Sequence, residues 1–65
     1  MTLTPKQAEL ARWLRRGATY EEAAFHLGIS VAAVYKRVEL AARKLPGPGY
    51  PKDRLLQWAK AQEDQ

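Results

Sequence analysis

The segment TYEEAAFHLGISVAAVYKRVELAARKL, from Thr19 to Leu45, contains the signals for two helices separated by a tight turn. The pattern of apolar and capping residues predicts helices over residues 20–27 and 31–45. Gly28 lies between them, and glycine takes the left-handed conformation that often ends a helix at little energetic cost. A short turn between two helices is typical of a helix-turn-helix unit.

Capping residues support both helix starts. Thr19 and Glu22 have the spacing of a capping box, in which a hydroxyl and a carboxylate satisfy free backbone groups at the start of a helix. Ser30 offers a hydroxyl to cap the second helix, and Pro46 with Gly47 predicts its end. Capping residues therefore favour a helix on each side of the turn.

The helix predicted over residues 31–45 has one apolar stripe, whose members recur three or four positions apart: Val31, Val34, Val38, Ala41 and Leu45. Its basic residues fall outside that stripe: Lys36, Arg37, Arg43 and Lys44. This pattern predicts a helix that buries its valines and turns a cationic side outward.

Two further helices are predicted on either side of this unit. Thr4 and Gln7 form a second capping box, which favours a helix over residues 5–16. The run PGPGYP over residues 46–51 cannot continue a helix, and a last helix is predicted over residues 52–62.

The fold class predicted is all-α. Residues 1–46 form a three-helix helix-turn-helix core, and residues 47–65 add a linker and a fourth helix in the same domain. Sixty-five residues allow one small domain, near the lower size limit for stability by burial alone.

Composition argues against catalysis and against a metal site. The chain has no cysteine and a single histidine, His26, so neither a thiolate site nor an ordinary zinc set is available. Glu21 and Glu22 are adjacent and therefore lie on different helix faces, so they are poorly placed as an acid and base pair. We expect no enzyme activity and no cofactor.

Charge is unevenly distributed along the chain. The formal net charge is +4 and the pI is about 9.8, which favours polyanionic partners. Residues 1–45 hold eight basic and four acidic side chains, whereas residues 46–65 hold three of each. No apolar run has membrane-spanning length and the N-terminus lacks a signal-peptide pattern, so a cytoplasmic protein is expected.

The region from Leu3 to Leu45 resembles the DNA-binding domain of LuxR-type response regulators. LTPKQAEL is similar to its opening LTxRExEV, Gly17 to its glycine before the second helix, and HLGIS with Val34 and ARKL to its recognition segment. TYEEAAFHLGIS with Val34 and ARKL also resembles the sigma-factor domain that reads the upstream promoter element. Both resemblances imply a bacterial or phage helix-turn-helix protein that binds duplex DNA and regulates transcription.

In a helix-turn-helix domain, the first turns of the second helix of the unit enter the major groove. The candidate DNA-binding residues are Ala32, Ala33, Tyr35, Lys36 and Arg37 towards the groove, with Arg43, Lys44 and Thr19 towards phosphate. Other interpretations remain open. Helix propensity alone is a sufficient reason for the alanines, Lys44 suits a helix C-terminus by its charge, and Thr19 suits capping.

The last helix carries an apolar cluster of Leu55, Leu56 and Trp58. This cluster packs against the first helix to complete the core, or it forms a homodimer or partner interface. A two-fold dimer would place two recognition helices in successive major grooves, about 34 Å apart. The alternative function is a protein-interaction module that binds RNA polymerase or a recombination or phage packaging complex. It would use the apolar start of the third helix and the Trp58 face.

Overall fold

The structure is a computed structural model that describes residues 3–63. It has four helices: α1 (Pro5–Arg15), α2 (Tyr20–Leu27), α3 (Val31–Ala42) and α4 (Pro51–Glu63). The described residues contain no strand, so the predicted all-α fold is confirmed. The longest helix has 13 residues, and within residues 3–63 none combines the length and the apolar character needed to cross a bilayer.

Both predicted capping boxes are present. At the start of α1, the amide of Thr4 donates to Gln7 Oε1 at 3.0 Å and the amide of Gln7 donates to Thr4 Oγ1 at 3.2 Å. At the start of α2, Thr19 and Glu22 make the same reciprocal pair at 2.9 and 3.1 Å. The Ser30 hydroxyl accepts a backbone amide of α3 at 3.1 Å. Local side-chain chemistry therefore begins three of the four helices.

The turn between α2 and α3 is three residues long. Gly28 ends α2 with φ 69° and ψ 34°, which is the left-handed conformation predicted for it. The amide of Ile29 then donates to the carbonyl of Ala24 at 3.0 Å, so the last turn of α2 remains satisfied. This connectivity matches that of a helix-turn-helix unit.

The end of α3 differs from the prediction, because the helix stops at Ala42 and not at Leu45. The amides of Lys44 and Leu45 donate to carbonyls only three residues earlier, each at 3.0 Å, so the chain tightens into a turn. Pro46 disfavours helical conformation at Leu45, the residue before it, and therefore prevents the helix from continuing beyond this turn. Leu45 is nevertheless buried.

The core lies where α1, α3 and α4 meet. Its largest fully buried side chains are Leu10 of α1, Val34 and Val38 of α3, and Leu55 of α4. Buried alanines of all four helices fill the space between these residues, which lets the helices approach closely: Ala11, Ala23, Ala24, Ala41 and Ala59. Because α4 packs against both α1 and α3, it belongs to the same domain as the other helices.

Candidate nucleic-acid interface

The exposed face of α3 is a continuous stripe along the helix. Val34, Val38 and Ala41 are buried on the other side. The residues left exposed recur three or four positions apart: Ala32, Tyr35, Lys36, Glu39, Leu40 and Arg43. We call these six residues the outward face of α3. It is the surface that a helix-turn-helix unit would present to a DNA groove.

Lys36 and Arg37 are the two basic residues for which the sequence predicts a groove contact. Lys36 is exposed on the outward face, and Arg37 is half-buried at its edge. Arg37 borders a shallow groove together with Lys6 and Glu9 of α1. Neither Lys36 nor Arg37 forms an ion pair with any residue between 3 and 63, so both charges remain available to an external anion.

Tyr35 is 60% exposed, and its ring makes an edge contact with Tyr20 at the start of α2. The pKa of Tyr20 is raised, first because the ring is partly desolvated and then because Tyr35 and Asp53 are close. Lys52 Nζ lies 5.7 Å from the centroid of the Tyr20 ring. The start of α4 therefore borders the same surface as Tyr35.

Two small residues begin α3, and the structure separates them. Ala32 is exposed on the outward face, whereas Ala33 is half-buried at its edge. Ala33 also donates its amide to the Ser30 cap. Of the two, Ala32 has the position that would let the helix approach a groove closely.

Arg43 and Lys44 both have partners within the chain. Arg43 Nη2 donates to Glu39 Oε1 at 3.0 Å in an exposed pair one helical turn apart. Lys44 Nζ donates to Gln7 Oε1 at 3.0 Å and thereby joins the turn after α3 to the start of α1. In this structure the amine of Lys44 is engaged with Gln7, and its phosphate contact stays a prediction. Arg43 stays at the surface, where exposed ion pairs exchange readily.

Thr19 uses its hydroxyl and its amide in the capping box with Glu22. The hydrogen bond from the Thr19 amide is the largest cause that lowers the pKa of the Glu22 carboxyl, and the Thr19 side chain lowers it further. The Glu22 carboxylate therefore stays ionised at the N-terminal end of α2. A helix N-terminus attracts phosphate, and this negative charge opposes that attraction. In this structure the capping interpretation of Thr19 accounts for its polar groups.

The structure adds Glu39 and Leu40 to the candidate surface. Both are exposed on the outward face, and Leu40 is 42% exposed. Their positions three and four residues after Lys36 were the signal in the sequence, since residues at this spacing lie on one helix face. The groove candidates predicted from the sequence ended at Arg37 and did not include them. Glu39 partly offsets the positive charge of this face and pairs with Arg43 at the surface.

The apolar cluster of α4 is divided by the fold. Leu55 is fully buried in the core, which fits the alternative that the cluster completes the core and leaves Leu55 no surface for a partner contact. Leu56 and Trp58 are half-buried and pack against the edge of the core. Any contact between two chains through α4 would therefore depend on Leu56 and Trp58. Leu55 turns inward because it shares one helix face with buried Ala59.

No family model, no curated protein and no solved structure matches this chain. The resemblance to LuxR-type and sigma-factor domains therefore stays a prediction.

Proposed function

We propose that this protein binds double-stranded DNA by inserting the outward face of α3 in the major groove, and that it acts as a small transcriptional regulator. The observation that supports this proposal is the position of Lys36. It lies exposed and without an ion-pair partner in the described chain, on the helix that follows the left-handed turn at Gly28. The proposal implies a cytoplasmic protein of bacterial or phage origin.

The composition of the outward face suggests how DNA would be read. Lys36 would donate hydrogen bonds to guanine edges or to phosphate, and Glu39 would accept one from the amino group of cytosine. The Tyr35 hydroxyl can donate a hydrogen bond to a base edge or accept one from it. Ala32 and Leu40 offer apolar contacts to thymine methyl groups. With so few long polar side chains, we expect modest sequence selectivity and a large electrostatic contribution to the affinity.

The experiment is fluorescence anisotropy with a labelled duplex over a series of salt concentrations. We expect the affinity to fall steeply with salt, and Lys36→Ala to reduce the salt slope by about one ion. The combined change Lys36→Ala with Arg37→Ala should abolish detectable binding at physiological salt. Lys60→Ala is the matched control, because Lys60 is equally exposed but lies on α4. Equal losses for Lys36→Ala and Lys60→Ala would contradict the proposal.

A second candidate function is a protein-interaction module that keeps the helix-turn-helix architecture. The observation that favours it is the partly apolar outward face, where Tyr35 is 60% and Leu40 is 42% exposed. RNA polymerase or a recombination or packaging complex would be the partner class. Selection of bound fragments from random duplex DNA separates the two candidates, since enrichment of one sequence supports the regulator and no enrichment supports the module.

Pairing of two chains on DNA is part of the regulator proposal, because one recognition helix covers about half of an ordinary site. An enriched inverted repeat would support a two-fold arrangement. Sedimentation of the protein with and without that duplex measures the stoichiometry directly. A strict monomer in both samples would restrict the proposal to single-site binding.

A further inference from the structure

A second candidate binding surface lies between the end of α1 and the second half of α4. It is a groove of about 310 Å³ that is lined by Arg12, Arg16, Trp58, Ala59, Gln62 and Glu63. None of these residues belongs to the outward face of α3. The groove is therefore separate from the candidate DNA interface, and the inference drawn from it does not depend on the proposed function.

The groove carries an excess of positive charge. Arg12 and Arg16 are exposed, and neither forms an ion pair with any residue in the part of the chain that the structure describes. The acidic residue of the groove, Glu63, is held by Arg15 at 3.3 Å. Two guanidinium groups thus face the groove without a carboxylate of their own.

Two tryptophan side chains lie beside these arginines or line the groove. The Arg16 guanidinium carbon lies 5.2 Å from the centroid of the Trp13 ring, a cation–π distance that restricts the position of the arginine. Trp58 is half-buried beside Ala59 and forms an apolar wall of the groove. Arginine and tryptophan are both enriched among the residues that dominate the binding energy of protein interfaces.

We propose that this groove binds an acidic peptide segment of a partner protein. One aliphatic or aromatic side chain of the segment packs on Trp58, and carboxylates on either side of it pair with Arg12 and Arg16. Guanidinium groups suit this role because each can bind a carboxylate through two parallel hydrogen bonds.

The charges favour this occupant over a second copy of the chain. A two-fold contact places the same surface on both partners, so the net positive charge of the groove would face an equal positive charge. Such like-charge contacts oppose association. An acidic segment instead supplies the charge that the groove lacks.

Single-stranded nucleic acid is also less suited to the groove. Its bases require open aromatic faces for stacking. The Trp13 ring is already stacked on His26, with centroids 4.0 Å apart and planes 2° from parallel, and it also lies under Arg16. Trp58 is half-buried against the core. The aromatic residues here support a peptide anchor better than a row of bases.

The experiment begins with selection of peptides from a random displayed library on the full chain. We expect the enriched peptides to carry several carboxylates around one aliphatic or aromatic residue. A synthetic peptide of the enriched sequence should shift the indole N–H signal of Trp58 in the NMR spectrum. The same peptide with amides in place of its carboxylates should bind at least about tenfold more weakly.

Variants test the residues directly. Arg12→Gln combined with Arg16→Gln should weaken the peptide about tenfold or more, whereas Lys52→Gln combined with Lys60→Gln removes the same charge and should leave it unchanged. Circular dichroism checks that each variant is folded. Because both changes neutralise exposed side chains, we expect all variants to fold.

Three kinds of outcome would overturn the proposal. The first is a peptide result: the enriched set lacks acidic residues, or the enriched peptides bind the two double variants equally. The second is an oligothymidine that shifts the Trp58 signal when acidic peptides do not, which would assign the groove to nucleic acid. The third is a concentration-dependent dimer that Trp58→Ala abolishes, which would assign it to a second copy.

Discussion

The ring of Tyr20 meets the ring of Tyr35 edge to face, with centroids 4.5 Å apart and planes at 79°. This contact joins the first residue of α2 to the outward face of α3. Tyr20 is half-buried and Tyr35 is exposed, so the inner ring restricts the orientation of the outer one. The hydroxyl of Tyr35 is thereby held at the surface that we propose for DNA.

Replacing Tyr35 separates the ring contact from the hydroxyl. Tyr35→Ala should lower the free energy of unfolding by about 0.5–1.5 kcal/mol, because it removes the edge-to-face pair. Tyr35→Phe keeps the ring and should leave stability nearly unchanged. Urea denaturation followed by circular dichroism measures both. In anisotropy assays, Tyr35→Phe should reduce the selectivity among duplexes and leave the non-specific affinity intact. Unchanged selectivity would show that the hydroxyl takes no part in DNA recognition.

The burial of Leu55 predicts a large difference between neighbouring positions of α4. Leu55 is fully buried, so Leu55→Ala should destabilise the protein by about 2–5 kcal/mol, which is a large part of the stability of so small a domain. Leu56→Ala is the control and should cost much less, because Leu56 is only half-buried. Thermal unfolding monitored by circular dichroism gives the comparison. Similar losses at both positions would contradict the packing of α4 described here.

The turn at Gly28 makes a prediction about backbone strain. A Cβ atom at this position would meet nothing within 4 Å, so substitution there is opposed by φ of 69° and not by a steric clash. Gly28→Ala should therefore cost about 1 kcal/mol. Gly28→Asn should cost less, since asparagine tolerates the left-handed conformation better than alanine. Denaturant titrations of the two variants test this order. The reverse order would contradict the left-handed conformation at position 28 as the cause of the cost.

The two capping boxes should differ in their response to pH. The pKa of Glu22 is lowered from its usual value of 4.5 by hydrogen bonds from Thr19, so its stabilising effect is complete above about pH 4.5 and is lost as the pH falls through the lowered value. Glu22→Gln keeps the box and should remove this part of the acid sensitivity. Unfolding free energies measured between pH 2 and 7 show the effect. Identical pH profiles for the two proteins would mean that the carboxylate is not engaged in solution.

At the start of α1, the opposite substitution can be made, from a glutamine to a glutamate in the capping box. Gln7 already accepts from the amide of Thr4 and from Lys44 Nζ, each at 3.0 Å. Gln7→Glu should strengthen both bonds by adding a charge and should increase stability near pH 7. The same substitution should introduce an acid-dependent loss that the natural chain lacks at this position. A variant that is less stable near pH 7 would contradict the geometry at Lys44.

Helix starts could be predicted from short-range patterns alone. Thr19 with Glu22, Thr4 with Gln7, and Ser30 act on backbone groups within three residues, so no other part of the chain is needed to make them caps. The helix end before Pro46 was less predictable. The buried stripe continues to Leu45, which lies outside the helix but still reaches the core.

Partners of individual side chains could not be predicted in the same way. Lys44 and Gln7 are 37 residues apart, and no local pattern indicated their hydrogen bond. The charge of Lys44 was equally consistent with phosphate, solvent or a helix end. Likewise, Leu55 and Leu56 are identical neighbours, and only the packing of α4 on α1 and α3 distinguishes the buried one from the half-buried one.

The order of the helices, their caps and the left-handed turn at Gly28 were already contained in the order of the amino acids, because each depends on interactions within a few residues. Tertiary packing decided which cations remain at the surface: Lys36 has no ion-pair partner within residues 3–63, whereas Lys44 donates to Gln7. It also formed the groove beside Trp58, since α1 and α4 are distant in sequence and meet only when the core is buried.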